Sequence, residues 1–118
     1  MIFQSKRTFV VYSYSDDHGL LLLRSRKANT SPTRVDILFQ DVRAMELRCW
    51  FTGISIETAE PDILHAFPSR PAELVEPGNI VYLLKGENWK GFIVGGIVST
   101  HEDTGEYGGH SALLGPDR

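Results

Sequence analysis

Arg34-Val-Asp-Ile-Leu-Phe-Gln-Asp-Val-Arg-Ala-Met-Glu-Leu-Arg-Cys-Trp-Phe-Thr-Gly-Ile-Ser-Ile-Glu57 is the stretch whose reading decides the fold. Charged and apolar side chains alternate through most of it. A period of two sets one face on a core and the other in water, as in a half-buried β-strand. Val35, Ile37 and Phe39 share one face, and Gln40-Asp41 suits a bend. Met45, Leu47, Cys49 and Phe51 then share a face, with Ala44, Glu46, Arg48 and Trp50 opposite. Gly53 interrupts the run, and Ile54 and Ile56 resume it. Part of the tract admits a helix. Ala44-Met-Glu-Leu-Arg48 are helix formers, Asp41 suits an N-cap, and Val42, Met45 and Cys49 stand three and four apart. Strand is the preferred reading, because the alternation runs on through Phe51 and Ile56.

Working outward, Phe9 to Tyr14 is β-branched and aromatic, Ser15 to Gly19 supplies turn chemistry, and Leu20 to Ser25 follows as a return strand. Ser25 to Thr33 reads as a polar loop, and Pro32 delays the next strand. Pro61 to Phe67 predicts a short helix with proline in its first turn, docked through Ile63, Leu64 and Phe67. Ile80 to Lys85 and Trp89 to Val98 predict a second hairpin around Gly86-Glu87-Asn88. Gly91, Gly95 and Gly96 mark bulges or close backbone contacts within it. From about His101 onward the chain reads as a polar, glycine-rich, flexible tail. The expectation is one mainly β domain over residues 1–118, all-β or α+β. It takes the form of a small antiparallel sandwich or partly open barrel of about six to eight strands, with one short helix near 61–67.

The 118 residues carry a net charge of −3 and a pI near 5.7. Neither nucleic acid nor an anionic membrane would be attracted by such a balance. The longest wholly apolar run, Leu20 to Leu23, is too short to span a bilayer. Met1 to Arg7 has no apolar stretch after its basic pair, so no secretory signal is expected. One cysteine, Cys49, excludes an intrachain disulfide, and a reducing, cytoplasmic setting follows.

No segment assembles a complete chemistry. His101 to His110 holds two histidines among Glu102, Asp103 and Glu106, but without a zinc-binding spacing, so no metal and no cofactor is expected. Asp16-Asp17-His18 pairs acids with an imidazole, yet it is also what a hairpin turn requires. Cys49 reads as a buried, inert thiol beside Leu47 and Phe51. Arg24, Arg26, Lys27 and Arg34 form the only basic cluster and read as the rim of a solvated loop, with a local site for a phosphate or an acidic partner as the alternative. Gly91 to Gly96 lacks both the Gly-Lys-Ser/Thr ending and the Gly-x-Gly-x-x-Gly spacing of phosphate loops.

Trp50, flanked by Glu46 and Arg48 on the face opposite the core residues, has the makings of an interface anchor. This points to a non-enzymatic domain that works by protein contact, with a partner or a second copy. A second reading is a small barrel holding an apolar or aromatic molecule among Tyr12, Tyr14, Tyr82, Trp89 and Phe92. A third is a metal-dependent enzyme, which needs two of His18, His65, His101 and His110 to converge.

The pattern Leu38-Phe39-x-Asp41-Val42-x-x-Met45-x-Leu47, followed by Phe51-x-Gly53-Ile54-x-Ile56, resembles small bacterial proteins of unknown function, among them immunity proteins of polymorphic toxin systems. The resemblance covers about a fifth of the chain in residues typical of strands. It implies a cytosolic, non-enzymatic protein that binds one partner protein, and it carries over no binding residue.

Overall fold

A computed structural model describes residues 2–27 and 31–115. The middle of the polar loop at 25–33 and the end of the tail fall outside the described residues. Eight antiparallel strands form one sheet: β1 (Phe3–Ser15), β2 (Leu20–Ser25), β3 (Arg34–Phe39), β4 (Ala44–Glu46), β5 (Trp50–Ala59), β6 (Ile80–Gly86), β7 (Trp89–Gly95) and β8 (Val98–Asp103). Their spatial order is β4-β7-β6-β5-β1-β2-β3-β8. The sheet curls without closing into a barrel, and β4 and β8 are its edges. The mainly β expectation holds.

Both predicted hairpins form, β1–β2 and β6–β7. The first turn sets His18 and Gly19 at positive φ, and the second does so at Asn88. Gln40-Asp41 is the expected bend, with Asp41 at φ 54°. Around it the chain bridges distant strands. Gln40 N donates to Ile97 O, Arg43 N to Val94 O and Val42 N to Gly19 O, at 2.7 to 3.0 Å.

The curl encloses a core of Phe9, Leu21, Leu23, Ile37, Phe39, Phe51, Ile56, Tyr82, Leu84 and Ile93. These are alternate residues of their strands, so the period of two does the sorting. A smaller cluster lies on the outer face of β6 and β7. There Leu64 and Phe67 pack on Val81, Leu83, Phe92 and Val94. The segment that supplies them is a 3-10 helix, Pro61–Ala66, followed by a second, Pro71–Leu74. Leu64 and Phe67 dock as expected, whereas Ile63 is exposed. Gly91 on β7 faces the backbone carbonyl of Glu46 so closely that a Cβ would collide with it. That contact is what lets β4 pair there.

The opening tract is extended, not helical, but its faces divide differently from the expected pattern. Met45 is exposed, Cys49 is an exposed free thiol, and Leu47 is only partly buried against the core. Phe51 alone of the four is fully in the core. The reason is topological. β4 pairs with β7 at the sheet edge, whereas β5 pairs with β1 and β6. Residues 47–49 carry the chain between those places and cannot keep a strand's alternation. The side chains of a strand alternate only while its ladder continues.

Candidate functional site

The expected tail from about His101 begins as β8 and continues as a segment lying on the outer face of β2 and β3. Two buried arginines hold it. Arg24 Nε and Nη2 donate to Asp36 Oδ1 and Oδ2 at 2.7 and 3.0 Å, a bidentate pair with neither side chain accessible. Arg24 Nη1 donates to the carbonyls of Tyr107 and Gly109 at 2.6 and 2.8 Å. Arg34 Nε donates to Asp103 Oδ1 at 2.8 Å, and its Nη atoms reach the carbonyls of Glu106, Gly109 and His110. Tyr107 completes the contact, edge-on to Tyr12 at 5.2 Å.

Burial opposes the charge on Arg24, but the hydrogen bond and field of Asp36 outweigh it and hold the guanidinium above its ordinary pKa. Asp103 is held below the usual carboxylate range, first by its bond from Arg34 and then by Gly105 N–H. Gly105 sits against the Arg34 guanidinium, where a Cβ would stand 2.6 Å from Cζ. At this position glycine permits a close approach to a cation.

Arg24 and Arg34 are therefore not the rim of a solvated loop. The register could have exposed this, because Arg24 lies directly opposite Asp36 across β2 and β3. With the chain folded, Arg26 and Lys27 lie beside Arg24 on the outer surface. An open cleft of about 760 Å³ lies there beside β1. Lys6, Arg7, Arg24, Arg26 and Lys27 line it, no carboxylate does among the described residues, and Trp50 stands at its wall. Trp50 is 64% exposed while its neighbour Phe51 is 2% exposed. The indole is thus fixed on the outer face by a strand whose inner face is anchored. Trp50, Val10, Arg24 and Asp36 are consecutive cross-strand partners on β5, β1, β2 and β3.

The cations differ in availability. Arg24 is consumed by Asp36 and the two carbonyls. Arg7 donates to Thr33 O at 2.9 Å and meets Glu102 at 3.3 Å. Lys27 meets Glu106 at 3.0 Å. The Arg26 guanidinium lies 4.6 Å over the Tyr107 ring with no ion pair among the described residues, and Lys6 is exposed with none there either. Lys6 and Arg7 were not singled out from the sequence. They stand on β1 far from the Arg24–Arg34 loop, and only the β1–β2 pairing unites them.

Of the proposed contact trio, Glu46, Arg48 and Trp50 are all exposed. Glu46 lies on β4 and accepts from Ser69 Oγ at 3.3 Å, and Arg48 lies in the crossing at 47–49. Only Trp50 joins the cleft. The five aromatics of the second reading are divided among the outer face, the main core and the opposite cluster. Tyr12 packs on Tyr107 and Tyr14 is exposed. Tyr82 lies in the main core with its hydroxyl on Gly96 O at 2.6 Å, and Phe92 lies in the opposite cluster. Trp89 packs on Phe51 at 4.7 Å. The histidines stand on separate elements: His18 at the first turn beside Asp17, His65 on the first 3-10 helix, His101 on β8 beside Asp103, and His110 near Gly115. Among the described residues no group of three or more His, Cys, Asp or Glu is placed to hold a metal, and no helix is long and apolar enough to cross a membrane. No family model, curated protein or solved structure matches the chain.

Proposed function

We propose that the protein is a non-enzymatic binding domain that works through contact with a protein partner or a second copy of itself, with Trp50 as its anchor. The carrying observation is the indole itself, 64% exposed on a strand whose adjacent residue is locked in the core. A large, pre-positioned aromatic loses little conformational freedom on binding and is the residue type most enriched among interface hot spots. A cytoplasmic setting agrees with the exposed free thiol of Cys49, which a reducing compartment preserves. Among partner binders, an immunity-type protein is the form that the resemblance of residues 38–56 suggests.

The test compares wild type with Trp50→Ala. Sedimentation velocity measures self-association, and affinity purification with mass spectrometry identifies partners. The expected result is a dimer or a defined partner that Trp50→Ala weakens by about 2 kcal/mol or more. A strict monomer whose partners are all indifferent to Trp50→Ala would refute the proposal.

A further inference from the structure

We infer that the partner is a protein presenting an acidic, extended segment, and that its carboxylates enter the cleft between Trp50 and the Arg26–Lys27 wall. The inference rests on the binding-domain reading and adds the chemistry of what is bound.

The first support is charge. The chain is acidic overall, yet among the described residues every ionisable side chain lining this cleft is a lysine or an arginine. A single-sign concavity raises the local concentration of opposite charge at its mouth. The second is that the protein's own carboxylates already bind these cations. Glu106 reaches Lys27 and Glu102 reaches Arg7, each carboxylate largely exposed. Such exposed pairs contribute little and exchange readily. A partner's carboxylates replace them with like chemistry and also engage Lys6 and Arg26. Third, Ser5, Thr8 and Ser31 line the same cleft; Ser5 Oγ accepts from Arg7 N and Thr8 Oγ1 pairs with Thr52 Oγ1, and the Ser31 hydroxyl suits the backbone of a bound segment. Trp50 adds an apolar contact for one side chain of that segment.

Nucleic acid fits less well. Among the described residues Trp50 is the one aromatic lining the cleft, so a succession of bases has no stacking platform.

The probe is poly-L-glutamate, titrated into the protein at low salt while tryptophan fluorescence is followed. Trp50→Phe identifies the part of the signal that belongs to the cleft. Saturable binding is expected, weakened by added salt. The pair Lys6→Glu and Arg26→Glu should weaken it by at least about tenfold. Both side chains are exposed, and circular dichroism checks that the variant folds. Poly-L-lysine and oligothymidine should bind at least about tenfold more weakly than poly-L-glutamate. Three outcomes overturn the inference: no binding of poly-L-glutamate, equal binding by the charge-reversed variant, or tighter binding of oligothymidine. If a partner lost on Trp50→Ala is still retained by the charge-reversed variant, the acidic-segment inference fails while the binding-domain reading stands. If that partner survives both changes, both fail.

Discussion

The outer face of the sheet is covered twice, and the two covers use opposite chemistry. Over β6 and β7 lie the two 3-10 helices, held by Leu64 and Phe67, with the Phe67 and Phe92 rings edge to face at 4.8 Å. Over β2 and β3 lies the 103–111 segment, held by guanidinium hydrogen bonds to carboxylates and backbone carbonyls. Apolar burial is non-directional and forgives small shifts. The hydrogen bonds of a planar guanidinium are directional and select one register. The polar cover is therefore the more position-specific of the two and the more damaged by losing a single partner. Between the covers, Trp50, Thr8 and Lys6 remain exposed on β5 and β1.

The comparison breaks most sharply at Arg24. Arg24→Met should leave Asp36 buried and unpaired, costing about 3–5 kcal/mol in denaturant unfolding. Adding Asp36→Leu should recover most of that loss, because removing both charges also removes the desolvation cost. If the double variant is as unstable as the single one, the pair is not the dominant electrostatic contact of this cover. For the apolar cover, Leu64→Ala should cost about 2–4 kcal/mol, with no dependence on pH between neutral and mildly acidic conditions.

Acid should separate the covers further. Asp103 has a folded pKa below its unfolded value, so its contribution is present above the unfolded pKa of about 3.9 and is lost as pH falls through the folded pKa. Protection of the 103–111 amides in hydrogen exchange should therefore fall below about pH 4. Asp103→Asn should cost about 1–2 kcal/mol at neutral pH and flatten that acid dependence. If protection at 61–67 collapses at the same pH as at 103–111, the covers do not open independently. The smallest effect belongs to the bare strip. Trp50→Ser should change folding stability by less than about 0.5 kcal/mol, which makes it a clean probe of binding.

The hairpins were legible because turn residues and alternation agree there. Asp-Asp-His-Gly precedes the leucines of β2, and Glu-Asn separates β6 from β7. Leu64 and Phe67 were legible from spacing. Arg24, Arg34 and Asp36 were not, because a charged residue on a strand's outer face looks solvated until something covers it. The cover comes from a segment whose polar composition resembles a free tail. At 44–51 the alternation persisted in sequence while the ladder stopped at Glu46. Pattern alone does not register that β4 and β5 have different neighbours. Trp50 was placed on the outer face correctly, since Phe51 anchors the inner one. The cleft beside it depends on β1 residues distant in the chain, so only the tertiary pairing collects it.

The Arg24 bonds to the carbonyls of Tyr107 and Gly109 join residues 83 and 85 positions apart in the chain. The apolar cover, by contrast, sits in the connection leading directly into β6. Closing a long loop is entropically slower to be repaid than making a local contact. The two covers should thus arrive in order during folding. The 3-10 helices should dock with the β6–β7 hairpin, and the 103–111 segment should dock last. Until it docks, Arg24 and Asp36 face water as an ordinary surface pair. The least accessible charges of the finished molecule are then hydrated through most of its assembly, and their desolvation belongs to the final step.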